Sequence, residues 1–129
     1  MSIKKILTGV LLIAVCGISL AYAGEDNDFS KDDYQNLLKG CKNMAGAQLE
    51  GGNFAGMDLS GVNFKGAELD RTNFQKANLS NANFTDADLD DANLKGANIS
   101  GAIFKNAELE YATWIDGRVC AEGSIGGCW

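Results

Sequence analysis

The chain has 129 residues, with 17 Asp and Glu against 11 Lys and Arg, four cysteines, no histidine and no proline. That length bounds it to one domain. The missing histidine excludes His-based triads and His metal ligands, and the acidic balance argues against nucleic acid, whose binding needs Lys and Arg to displace counterions.

Met1–Ala23 reads as a secretory signal. Lys4 and Lys5 make a basic start, Ile6–Leu20 is an apolar stretch, and Ala21-Tyr22-Ala23 is an A-x-A site placing the cut between Ala23 and Gly24. No arginine pair precedes the stretch, which fits the general export route. Cys16 lies inside it, and Val15 stands where a lipid-attachment motif wants a small residue. The stretch is short for a membrane span and no later segment could serve as one. The mature chain is expected to be periplasmic or extracellular and free of the membrane. It carries 9 Lys and Arg against 17 Asp and Glu, for net −8.

Residues 24–41 are expected to form an N-terminal helical cap. Ser30 is a candidate N-cap, and Asp32 and Asp33 suit the positive end of the helix dipole. Phe29 and Tyr34 sit at staple positions, Leu37 and Leu38 give an apolar side, and Gly40 ends the helix.

From Ala47 to Asp116 the chain repeats with a period of five for 14 units. The third position is apolar in all 14, from Leu49, Phe54 and Leu59 through to Trp114, and the first is Ala in 10 of 14. Asn or Asp fills the second in 9 of 14. Five residues on an α-helix advance about 500°, which scatters the apolar positions over every side. On a straight strand an odd period flips faces at each unit. The chain must therefore turn once per unit, keeping the first and third positions inside. Four units close a square coil, and successive coils stack about 4.8 Å apart.

Units such as Ala77-Asn78-Leu79-Ser80-Asn81 and Ala82-Asn83-Phe84-Thr85-Asp86 resemble the pentapeptide-repeat family. The resemblance covers residues 42–116 and implies an all-β fold, a right-handed quadrilateral parallel β-helix of about four coils. Gly52, Met57 and Thr72 depart from it at the small position, and Ile103 at the Asn/Asp position. Read at period 20, Met44, Phe64, Phe84 and Phe104 fall on one side and Leu49, Leu69, Leu89 and Leu109 on the next. Phe54, Phe74, Leu94 and Trp114 form the third, and Leu59, Leu79 and Ile99 the last. The helix before them reads as a lid on the first coil. Residues 117–129 are Gly-rich and read as an irregular C-terminal tail, similar to one found on some exported members of the family.

Export permits disulfides. Cys120 and Cys128 close a short loop in the tail. Cys41 falls at the opposite end of the stack, beyond the roughly 7 Å a disulfide allows between Cα atoms. It reads either as a small buried residue at the lid junction or as an intermolecular bridge or redox thiol.

The outward charges are not evenly spread. The side made of residues 47–51, 67–71, 87–91 and 107–111 is net −7, while the rest of residues 52–116 is net +1. Two columns are expected there: Glu68, Asp88 and Glu108, and Glu50, Asp70, Asp90 and Glu110. One reading is a solvated side that aids solubility; the other is a docking face for a basic protein partner or for cations. The Asn columns (Asn53, Asn73, Asn93) and the Ser column (Ser60, Ser80, Ser100) read as structural, bonding turn backbone.

The function expected is a non-catalytic exported scaffold or protein-interaction module, without cofactor, catalytic residues or metal site. The alternative is a carboxylate-based hydrolase or a cation-binding protein. A core filled by Leu, Phe and Ala leaves no interior pocket, and no carboxylate reads as desolvated. The resemblance also brings in members that imitate duplex DNA and inhibit topoisomerases, but an exported, short stack speaks against that role. The sequence sets no oligomeric state; a dimer is compatible with it.

Overall fold

The computed structural model describes residues 30–129. The signal, the Ala23–Gly24 cut and Phe29 lie outside the described residues. Helix α1 spans Lys31–Leu38, and the Ser30 hydroxyl accepts the Asp33 N–H at 3.1 Å as its N-cap. Leu37 is 3% exposed and joins the core, whereas Leu38 is 46% exposed, correcting the expectation that both face inward. Adjacent helical residues point about 100° apart. The buried stripe is Asp33 and Leu37, four residues apart. No helix among the described residues is long and apolar enough to cross a membrane.

After α1 the chain turns every five residues. In each turn the N–H of a unit's first residue donates to the carbonyl three residues back, from Ala47 to Met44 (3.1 Å) through Ala112 to Leu109 (3.1 Å). The residue just before is left-handed at 14 successive positions, Gly46 to Tyr111; seven are Gly and seven are not. Single-residue parallel bridges join residues 20 apart, from Asn43 with Asn63 to Asn93 with Thr113. Four units therefore complete one coil. Continuous strands do not form, because the turn consumes the rest of each unit.

In the inner coils the backbone N–H groups follow one recurring ladder. The second residue's reaches the coil before, as Glu68 N–H to Ala47 C=O (2.8 Å). Those of the third and fifth reach the coil after, as Leu49 to Glu68 C=O and Gly51 to Asp70 C=O (both 2.9 Å). The fourth residue's has no place in this ladder. The side chain of the second supplies the acceptor: Asn53 Oδ1 takes the Ala55 N–H at 3.2 Å, Asn83 Oδ1 that of Thr85 at 3.0 Å, and Asp88 Oδ1 that of Asp90 at 3.0 Å. A short acceptor is needed twice per ten residues of every side, which is why Asn and Asp recur there.

Inside, Phe64, Phe84 and Phe104 stack with centroids 5.2 and 5.0 Å apart and planes within 11°. Phe54 and Phe74 stack on the opposite side at 5.4 Å. The two aromatic columns meet edge to face, Phe74 lying 6.2 Å from Phe64 and 6.1 Å from Phe84, the arrangement ring quadrupoles favour. Gly52 replaces Ala in its unit because a Cβ there would come within 2.6 Å of the Phe54 ring.

The tail is not irregular. It folds back over the last coil, pairing antiparallel through Glu108 with Ile125 and Thr113 with Val119. Leu109 N–H donates to Ser124 C=O (2.9 Å), Gly126 N–H to Ala107 C=O and Cys120 N–H to Ala112 C=O (both 2.8 Å). Cys120 and Cys128 are disulfide-bonded with Cα atoms 4.8 Å apart. Cys41 is buried in the core cluster, and no described cysteine is a free thiol, so the redox-thiol reading of Cys41 is withdrawn.

Candidate functional site: a stacked acidic side

The bridges Gln48–Glu68, Glu68–Asp88 and Asp88–Glu108 set the first acidic column on one side of the coil. The column ends in neutral residues, Gln48 at one end and Ile125 beside Glu108 at the other. Glu68 and Glu108 are exposed and Asp88 is half-buried.

The second column differs from expectation. Glu50, Asp70, Asp90 and Glu110 are all half-buried rather than freely outward. They are fourth residues of their units, set beside the turn backbone. Their own N–H groups need acceptors, and Gln48, Glu68 and Glu108 in the second position are too long for the bond that Asn makes elsewhere. Glu110 N–H instead donates to Asp90 Oδ1 in the coil before, at 2.7 Å. Glu110 in turn accepts the Gly123 N–H at 3.3 Å, tying the column to the tail. Asp70 pairs with Arg71 at 2.7 Å, an exposed contact of little energetic weight.

Two of these carboxyls are desolvated, correcting the expectation that none is. Burial pushes Glu50 up to about 7, opposed by a bond from its own backbone and reinforced by hydrogen bonding to Glu68 and by the charges of Glu68 and Asp70. Burial also raises Asp90, the Glu110 N–H opposes this, and Asp88, Glu108 and Glu110 add repulsion. One oxygen each from Asp88, Asp90 and Glu108 lie within 4.8 Å of one another, the grouping among the described residues most suited to a cation. Three carboxylates are fewer than the six to eight oxygens Ca²⁺ takes.

A family model described as pentapeptide repeats matches eight copies over residues 43–81 and 67–106. The chain belongs to the pentapeptide-repeat family. Pentapeptide-repeat proteins fold as right-handed quadrilateral β-helices and are typically non-catalytic. Among solved structures, this pentapeptide-repeat protein is similar to HetL of the cyanobacterium Nostoc sp. strain PCC 7120, a protein involved in heterocyst differentiation regulation. The identity is 38% and the TM-score 0.59, over 60% of this chain and 36% of HetL. The chain thus spans about a third of HetL's length. It also matches the pentapeptide-repeat protein Rfr23 of the cyanobacterium Cyanothece 51142 at 32% identity, over 56% of this chain and 43% of that one, with a TM-score of 0.20. No curated protein matches.

Sequence reasoning missed the roles of Asp33, Glu50 and Asp90. Asp33 and Glu50 carry no local signal, since each depends on what folds over it. Asp90 could have been found: Glu108 in the second position leaves the Glu110 N–H without its usual partner.

Proposed function

We propose that this pentapeptide-repeat protein is a non-catalytic exported scaffold whose acidic side docks a basic protein partner. The observation that carries the reading is the confinement of net −7 to one side of the coil, against net +1 on the rest of residues 52–116. Neighbouring carboxylates about 4.8 Å apart repel by on the order of 1 kcal/mol each even in water-like dielectric. A cationic surface would relieve that repulsion and steer the encounter. Export is supported by the basic-apolar-A-x-A start and by the tail disulfide. The buried Phe and Leu columns support the absence of catalysis, since they fill the interior. Helix α1 and the tail serve as end caps, shielding the apolar rings and strand edges a repeat stack otherwise exposes.

The test is affinity capture with the mature protein from the compartment it occupies, beside a variant carrying Asp70→Asn, Asp88→Asn, Asp90→Asn and Glu108→Gln. A basic protein retained by the wild type, lost from the variant and released as salt rises supports the reading. Equal capture by both proteins overturns it. The grouping of Asp88, Asp90 and Glu108 favours cation binding as a second reading. Millimolar Ca²⁺ raising the melting temperature of the wild type but not of Asp90→Asn would select it.

A further inference from the structure

The tail covers only half of the last coil. Its antiparallel bridges lie over the sides made of residues 107–111 and 112–116. The sides 97–101 and 102–106 therefore end one layer lower, about 4.8 Å. In earlier coils the next coil takes up the C=O of a unit's first residue and the N–H of its third. Asn98 meets both groups of one such unit, Ala77 C=O at 3.0 Å and Leu79 N–H at 2.8 Å. The corresponding groups of Ala97, Ile99, Ala102 and Phe104 have no partner among the described residues. The side chains agree. Third-position residues from Leu49 to Leu94 are at most 2% exposed, whereas Ile99 and Phe104 are only half-buried.

The tail has an open edge of its own. Arg118 C=O, Cys120 N–H, Ser124 C=O and Gly126 N–H are all bonded to the last coil. Alternate residues of an antiparallel strand turn their N–H and C=O to opposite edges. Val119 and Ile125 thus present theirs away from the coil, unpaired among the described residues, and both side chains are exposed. Open edges of this kind recruit further strands.

We propose that a second copy of this chain fills the open half, end to end, about a two-fold axis along the step between the covered and open sides. Half a turn about that line carries each tail onto the open half of the other copy. Val119 lands on the side 97–101 and Ile125 on the side 102–106. Each tail circulates against its own coil, and the rotation reverses that sense, so it runs parallel to the coil it lands on. Parallel pairing is what the fold already uses. A unit's second residue sends both N–H and C=O to the coil before, as Glu68 does to Ala47 and Leu49. Val119 offers the same two groups to Ala97 C=O and Ile99 N–H, and Ile125 offers them to Ala102 C=O and Phe104 N–H.

Shape and charge both fit a second copy. The step has the same height on each copy, so the two ends fill one another. The rotation sets the acidic side of one copy in line with the side carrying Lys65 and Lys105 of the other, rather than with its own like. The surfaces that meet, residues 97–106 and 117–129, carry only Lys105, Arg118 and Glu122 as charged side chains, so little repulsion opposes contact. At the other end, Ser30 and Asp33 of the α1 cap already occupy the Gln48 edge, and growth stops at two copies, as an isologous contact requires.

The experiment is sedimentation equilibrium of the purified protein from about 10 μM to about 1 mM, a range that reaches weak association, with residue-resolved amide exchange at both extremes. A monomer–dimer equilibrium without larger species is expected. In the dimer, exchange should slow at Ile99, Phe104, Val119 and Ile125, and stay unchanged at Leu79, which is bonded within the chain. Ile99→Glu, at the open end, should keep the wild-type circular dichroism and remain monomeric. A monomer throughout overturns the proposal, and leaves the open edge to an extended segment of a different protein. A dimer that leaves those four amides unchanged overturns it too, as does a folded Ile99→Glu that dimerises like the wild type. The exchange comparison uses the wild type alone, so it decides the matter even if Ile99→Glu does not fold.

Discussion

Asp33 stands in for a missing coil beneath Gln48. Its Oδ2 accepts the Gln48 N–H at 3.1 Å, a bond that in every later coil goes to the carbonyl of the coil before. The Gln48 carbonyl is met in the same way by the Ser30 N–H at 2.8 Å. The N-cap of α1 thus continues the ladder with one backbone and one side-chain group. Tyr34, one residue on, places its ring 5.7 Å from Phe54 over the open aromatic column. Asp33 is 4% exposed, so an unfilled partner there is not rescued by water.

Asp33→Ala should therefore destabilise the protein by about 1–3 kcal/mol, the range for orphaning a buried donor. Asp33→Asn keeps an acceptor oxygen and should lose much less. Urea unfolding of the two variants is the check, and equal losses would mean that charge, not the bond to Gln48, is what Asp33 contributes.

The coil register makes a second comparison. Phe84 is fully buried between Phe64 and Phe104. Asn81 is an exposed left-handed residue of the same kind as Asp86 and Asp91. Phe84→Asp should abolish folding or cost at least several kcal/mol, because an isolated charge enters an apolar stack. Asn81→Asp should stay within about 0.5 kcal/mol. Thermal melts that coincide would contradict the register.

Gly61 isolates the backbone requirement at the fifth position. Its φ is +69°, and a Cβ there would meet nothing within 4 Å. Gly61→Val should cost at least about 1–2 kcal/mol through the left-handed conformation alone. Gly61→Asn, a residue that visits this region readily, should cost well under that. Equal stabilities would show that the turn relaxes rather than holding φ positive.

The tail offers a fourth test. Cys120 and Cys128 close a loop of separation 8 whose backbone is bonded to Ala107, Leu109 and Ala112. Replacing both by Ser should cost about 2–3 kcal/mol by the chain-entropy estimate. Because the docked tail also carries backbone bonds, amide exchange at Leu109 and Cys120 should accelerate in the variant. Unchanged exchange would mean the tail holds its place without the bond.

The repeat was legible because its cause is local. The alternation of Ala, Asn or Asp, and Leu or Phe reports the burial and hydrogen-bonding demands of each unit, and those demands recur every five residues. The left-handed fifth position was equally written, in Gly61, Asn81 and Asp91 and in the lack of β-branched residues there, though burial patterns do not reveal it. What could not be read was set by non-local contacts. Leu38 and Leu37 are equivalent in sequence, and only the docking angle of α1 separates them. Glu50 and Asp70 occupy the same position in their units. Glu50 differs because its side chain lies at the first coil, against a pair of carboxylates and with a buried oxygen.

Asp90 is where the energetic consequence of the acidic side can be measured apart from its hydrogen bonding. Asp90→Asn keeps the Oδ1 that accepts the Glu110 N–H and removes only the charge. Burial, followed by Asp88, Glu108 and Glu110, holds the Asp90 carboxyl above its ordinary value of 3.8. A raised folded value means that stability is lost as pH rises through it, so at pH 7 the ionised carboxylate works against folding. Asp90→Asn should then be more stable than the wild type at pH 7 and low salt, by on the order of 1 kcal/mol for relief from its neighbours. The advantage should shrink as pH falls below the carboxylate range, where the wild type is also neutral. Added salt should narrow the gap without closing it, because screening acts on the repulsion and not on the burial that is the larger cause. Denaturant unfolding at two pH values and two salt concentrations separates these contributions. An Asp90→Asn variant less stable than the wild type at pH 7 would show that the negative charge itself holds the last two coils together, and the repulsion argument for a cationic partner would lose its basis.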